Sequence, residues 1–337
     1  MSTYRIQCKL SVNVPLTLRG NCCCKMSDVN ESLTNVTSQQ QYQGLLERAM
    51  FSTLTSVPCC VFLFINGTML LTLRSKAVFR DTCRYILLYN LLFADTVQMA
   101  LSQVLYVIAA CRIRLTYPMC GVLTMFASLT NDISPLTLVA MSLERYVAVC
   151  HPLRHATVVT IRRTGVAIVV VWAFSSLNVL TRVLLLLQFP FEDLKSLLMK
   201  EFCSDVAMLL GSVSNDYTTV YTCVLFLSAG VVVTSSYIGV MVAARSASTD
   251  KASVWKARNT LLLHLIQLGL SLSSTIYNPM LTALSKIVAA ITFVRVSIVL
   301  YVCLCIFPRC LSSLIYGVRD QTVRPVLMHH LHCPSCH

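Results

Sequence analysis

Long apolar runs alternate with short polar connections along the whole chain. We read seven runs, at about 50–73, 86–109, 119–143, 165–187, 219–244, 260–284 and 293–316. Each is long enough to cross roughly 30 Å of hydrocarbon as a helix, which takes about 20 residues. Barrel strands would be shorter, alternating and separated by turns. The pattern therefore predicts an all-α membrane protein, a seven-transmembrane helix bundle with a short cytoplasmic C-terminal helix. The expected organisation is an extracellular N-terminus (1–49), a helix domain (50–316) and a cytoplasmic tail with a short amphipathic helix (317–337). No repeat of fixed period is visible.

Composition agrees with this pattern, with 56% hydrophobic residues, 12% charged and a mean hydropathy of +0.70. Charge then orients the bundle. The stretches 74–85, 144–164, 245–259 and 317–337 hold fourteen Lys or Arg against four Asp or Glu. The opposite stretches, counted from Ser27, hold six basic and eight acidic residues. Basic loops face the cytoplasm, so the N-terminus is expected outside. Orientation accounts for most of the +13 net charge, and nucleic acid is not needed as a partner.

Two sequons, beginning at Asn30 and Asn35, precede the first span and are expected to be glycosylated, which requires the same orientation. The sequon at Asn66 falls inside that span and should be unused. Residues 1–25 carry three adjacent cysteines but no apolar core for a cleavable signal. They read as a dispensable extension, with a start at Met26 as the simpler design.

Most of the seventeen cysteines sit within spans as small apolar residues. The longest external connection, about 188–218, holds one, Cys203. Cys120, which opens the third span on the same side, is its expected partner, and external Cys111 competes for it. The tail sequence HHLHCPSCH brings histidines beside a Cys-x-x-Cys, but a metal site needs a second ligand pair or a fold to hold it. No metal or cofactor is expected; Cys333 is a candidate palmitoylation site near the membrane.

Ionisable side chains at membrane depth are costly and usually face the bundle interior. Asp95, Asp132 and Arg309 qualify, whereas Arg182 and Arg295 lie near outer span ends and are expected to snorkel to water. Asp95 is nine residues from the cytoplasmic start of its span and Arg309 seven from the end of its own. Both lie about 10–14 Å deep at the helical rise, so they are expected to pair; satisfaction by neighbouring Ser, Asn and water is the alternative. Asn131 and Asp132 precede Pro135, which bends a helix by removing a donor. Ser128, Asn131, Asp132, Tyr217, Tyr221, Ser274 and Tyr277 are the candidate ligand contacts, with interhelical hydrogen bonding as their competing role.

The 25 residues from Cys120 to Arg145 span about 37 Å, enough to cross the membrane. MSLERYVAVCHPLRH (141–155) resembles the third-helix end of rhodopsin-like (class A) G-protein-coupled receptors, in the form used by vertebrate odorant receptors. SSYIGV (235–240), KARNTLLLHLIQL (256–268) and PRCLSSLIYGVRDQ (308–321) extend the resemblance to about residues 45–330, most closely to fish odorant receptors.

The resemblance implies that Glu144 holds Arg145 at rest, beside Tyr146, and that Arg145 meets Tyr237 and Tyr316 on activation. It also implies a switch region at Lys256 and His264, a polar core with Asn66 and Asp95, and an outer Cys120–Cys203 disulfide. A small-molecule odorant, membrane lipid and a heterotrimeric G protein of the olfactory stimulatory type are the implied partners, at the plasma membrane of sensory cilia. The chain departs from the family in three places. Ser312-Ser313 stands where Asn-Pro is usual, the fifth span has no proline, and the sixth has no central tryptophan. Arg309 beside Asp95 would occupy the sodium place of many relatives. A transporter or channel, which would show repeats or matched broken helices, and a receptor-like protein that does not signal are the competing readings. No nucleophile-base set at one depth suggests an enzyme.

Overall fold

The computed structural model describes residues 50, 52–111, 113–188, 198–199, 203–204, 206–208, 212–247, 262, 265–266, 269–270, 272–274, 276–285, 287–288, 290–310, 315 and 323–332. The regular secondary structure among these residues is helical apart from one isolated bridge between Thr116 and Leu198. Five helices are long and apolar enough to cross a membrane among these residues: α1 (Ser52–Ser75), α3 (Cys83–Ala110), α4 (Tyr117–Cys150), α6 (Ile161–Leu187) and α7 (Ser212–Ala247). Short helices α2 (Ala77–Arg80) and α5 (Pro152–Val158) lie in the connections. Next come α8 (Tyr277–Ser285) and α9 (Ala290–Tyr301), which runs into a π turn at Val302–Ile306. The last helix, α10, is Val323–His332.

Local chemistry sets several boundaries. Thr160 caps α6, its Oγ1 accepting from Arg163 N at 3.3 Å, and Pro118 occupies the first turn of α4, where no donor is lost. The 34 residues of α4 cover about 51 Å, more than the hydrocarbon thickness. Its two ends are therefore available to two different surfaces.

The burial pattern is the inverse of a soluble protein's. Val57, Val61, Phe64 and Leu71 of α1, Val166, Val169, Leu177 and Leu184 of α6, and Val220, Val224, Leu227 and Val231 of α7 are exposed, as a lipid-facing surface requires. Thr55, Asn66, Thr72, Asn90, Asp95, Asp132 and Arg309 are buried. Lipid supplies no hydrophobic drive between helices, so interhelical hydrogen bonds take over part of the bundling. Asn90 shows this directly. It donates to Thr137 Oγ1 at 2.9 Å and accepts from Trp172 Nε1 at 2.9 Å, tying α3, α4 and α6 together.

An apolar cluster fills the end of the bundle near α2, with Met69, Leu88, Leu91, Leu138 and Met141 at its centre. Val323 and Leu327 of α10 are buried in the same cluster, while Arg324 and Pro325 stay exposed.

Candidate functional site

The interior of the bundle holds a cavity of about 760 Å³, the size range of small-molecule sites. Its roof is Cys203 and Ser204, fixed by a Cys120–Cys203 disulfide that clips the 203 segment to the first turn of α4. Cys111 is a free thiol and exposed. The floor is Arg309. Of the sequence candidates, Ser128, Asn131, Asp132, Ser274 and Tyr277 line this cavity. Tyr217 and Tyr221 stand behind its wall.

Those two tyrosines belong to a network across α4, α6 and α7. Asp132 Oδ2 accepts from Asn178 Nδ2 at 2.6 Å and from Tyr221 OH at 3.1 Å, and Tyr217 OH donates to Asn178 Oδ1 at 3.1 Å. The two tyrosine rings stack, 6.1 Å between centroids. Arg182 corrects the expectation from its position near a span end. It does not snorkel but is 8% exposed, lines the cavity and donates from Nη1 to Ser128 Oγ at 3.0 Å. Arg295 is exposed. Asn178 was not among the sequence candidates. An asparagine one helix away from an intramembrane aspartate was the available signal.

The second polar centre lies around Asp95. Ser134 Oγ donates to Asp95 Oδ1 at 2.6 Å, and Arg309 Nη1 lies 3.4 Å from the same oxygen. Arg309 Nη2 donates to Asn131 Oδ1 at 2.8 Å. Asp95 is fully buried and Arg309 only 4% exposed. Its Oδ2, and both side-chain polar atoms of buried Asn66, have no hydrogen-bond partner among the described residues. The π turn immediately precedes the segment carrying Arg309. Such a turn holds an extra residue, so it sets which way the following side chains face.

At the other end of α4, Glu144 Oε2 lies 3.3 Å from Arg145 Nε, and Glu144 Oε1 lies 3.8 Å from His155 Nε2 of α5. Tyr146 packs edge-on against His151 and lies over Gly239 of α7. A Cβ at Gly239 would fall 2.5 Å from the Tyr146 ring, so α4 and α7 meet there only because that position has no side chain. Tyr237, half-buried, is two residues away. Lys256, His264, Tyr316, Asn30 and Asn35 lie outside the described residues, as do 317–322 and 333–337 of the tail.

A cavity beneath a disulfide at one end of α4 and a Glu-Arg pair at the other define a class. The model of the seven-transmembrane receptor (rhodopsin family) matches residues 65–335, and the chain belongs to that family. It is a multi-pass membrane receptor, not an enzyme. Within the family it belongs to the odorant receptors. It is 34% identical to odorant receptor 131-2 of zebrafish (Danio rerio) over 274 residues, 81% of this chain and 83% of the relative. It is 27% identical to human (Homo sapiens) olfactory receptor 1S2 over 242 residues, 69% and 71% of the two chains. The mouse (Mus musculus) olfactory receptor 1M1 is 29% identical over 127 residues, 38% and 40% of the two chains.

Proposed function

We propose that this chain is a chemosensory receptor of the plasma membrane, its N-terminus outside and glycosylated at Asn30 and Asn35. A small odorant or water-borne ligand binds in the cavity and shifts a pre-existing equilibrium toward a cytoplasmic face that a heterotrimeric G protein recognises. The observation that carries this reading is the pairing of features along one helix. On α4, the cavity-lining Ser128, Asn131 and Asp132 stand 13 to 17 positions before Arg145, less than the thickness of the bilayer away.

Arg145 is the output element. An arginine keeps its charge in any environment, so at a bundle edge it exchanges partners rather than losing them. Glu144 holds it at rest; Tyr237 and Tyr316 receive it in the active arrangement, with Lys256 and His264 on the moving sixth helix. Coupling to an olfactory stimulatory G protein, and residence in sensory cilia, follow from the same reading. So does the organisation into an outer segment (1–49), helix domain (50–316) and cytoplasmic tail (317–337), with residues 1–25 dispensable.

The test is a cAMP reporter in cells carrying an olfactory stimulatory G protein, challenged with amino acids, amines, acids and volatile odorants. An agonist response that disappears in Arg145→Ala at unchanged surface expression is expected. Ligand transport, or an agonist response indifferent to Arg145, would overturn the reading.

A further inference from the structure

We infer that the cavity recognises a carboxylate head group, with Arg309 as its anchor and Thr218 as a second contact. This deepens the receptor reading and rests on it. Arginine carries five N–H donors. Among the described residues Arg309 uses two of them, one on Asn131 and one on Asp95 at 3.4 Å. A good arginine–carboxylate bond is shorter, about 2.7–2.9 Å, and commonly bidentate. The remaining donors belong to a group that forms the floor of a ligand-sized cavity.

Thr218 supplies an independent observation on another helix. It lines the same cavity, is 4% exposed, and its Oγ1 has no hydrogen-bond partner among the described residues. A buried hydroxyl without a partner costs stability until something in the cavity bonds to it.

Charge favours an acid over an amine. The cavity wall carries two guanidinium groups, Arg182 and Arg309, and one carboxylate, Asp132, already bonded by Asn178 and Tyr221. Asp95 lies behind Arg309 and does not line the wall. A ligand cation would thus meet two like charges and one screened partner, whereas a ligand carboxylate matches the planar fork of Arg309. Leu105, Leu225 and Leu281 offer apolar wall for the rest of the molecule. A ligand carboxylate on Arg309 also competes with Asp95 for the same cation, which ties occupancy to the core of the bundle.

The experiment uses the full-length receptor and arylalkanoic and medium-chain alkanoic acids, each matched with the primary amide, alcohol and amine of the same skeleton. Two readouts run in parallel, thermal stabilisation of the solubilised receptor and cAMP signal in cells. Acids are expected to act at concentrations at least about tenfold below those of their amides and alcohols, the worth of one charged hydrogen bond. Arg309→Lys keeps the charge but loses the fork, and should weaken the acids about tenfold while leaving the alcohols unchanged. Thr218→Val should weaken the acids about threefold, and it stands as the test if Arg309→Lys does not reach the surface. Amides, alcohols or amines that match or exceed the acids, or no stabilisation by any acid, would overturn the inference. A response to non-acids that still needs Arg145 would leave the receptor reading standing and this inference refuted. Stabilisation by acids without an Arg145-dependent signal would support the carboxylate site and refute the receptor reading instead.

Discussion

The bundle contains two intramembrane aspartates, Asp132 on α4 and Asp95 on α3, the latter bonded by Ser134 two positions beyond Asp132, and they are treated differently. Asp132 accepts hydrogen bonds from α6 and α7, each donor held in turn by stacking or by a further hydrogen bond. Asp95 accepts one short bond from Ser134, meets its cation at 3.4 Å and leaves Oδ2 without a partner among the described residues. The first is a rivet between three helices. The second is under-satisfied, and an under-satisfied buried pair is what a ligand or a helix movement can rearrange at small cost. Burial alone does not separate the two, since both carboxylates are buried. Partner count and distance do.

The largest expected effect is at Asp95 and Arg309. Removing one partner leaves the other charge buried and uncompensated, which costs about 3–5 kcal/mol. Arg309→Ala and Asp95→Ala should each lose most surface expression by flow cytometry. Exchanging the residues, Asp95→Arg with Arg309→Asp, should restore part of it; no restoration would mean that the contact is incidental.

Next in size is Asn178. Asn178→Leu takes a donor from Asp132 and an acceptor from Tyr217, and should cost about 1–3 kcal/mol, read as a lower melting temperature of the purified receptor. The comparison predicts a further difference. Asn178→Leu should change stability with little change in ligand selectivity, whereas a change at Arg309 should alter selectivity. An Asn178→Leu receptor with wild-type stability would dissolve the distinction between rivet and switch.

Much of this arrangement is legible in the sequence, for a simple reason. Helical rise is fixed, so depth follows from counting residues, and counting alone puts Asp95 and Arg309 at one level. The first five spans lie within a few residues of their expected positions except at two ends: α4 runs on to Cys150 rather than stopping near 143, and α7 starts at Ser212 rather than near 219. Rotation about a helix axis is less legible. A helix that is apolar nearly all round carries no phase, because lipid and protein interior both accept leucine and valine. That is why Arg182 was expected at the water interface and is found in the cavity, and why Tyr217 and Tyr221 stand behind its wall. The π turn at Val302–Ile306 has no composition signal, yet it sets the direction of Arg309. Gly239 lies within a stretch already singled out, but its closeness to Tyr146 depends on two helices crossing at that point.

Gly239→Ala is the next prediction in size. The methyl overlaps a ring edge 2.5 Å away, so Tyr146 or α7 must shift, at about 1–3 kcal/mol for an overpacked contact. Tyr146 adjoins Arg145, and the shift disturbs the end of the bundle where output is generated. Basal cAMP should change more than agonist affinity. Equal basal signal at equal surface expression would show that the crossing tolerates the extra methyl.

The smallest expected effect is an absence, and it bears on the inner pair. Agonist affinity should not change when sodium is replaced by N-methylglucamine at constant ionic strength. The guanidinium of Arg309 already stands against Asp95 and Asn131, so a sodium ion would have to displace a cation that cannot be neutralised. Constant ionic strength matters, because screening alone changes the encounter of a charged ligand with the receptor. A sodium-dependent affinity under these conditions would mean that Arg309 leaves Asp95 in the ligand-free receptor, and that the pair is looser than its burial suggests.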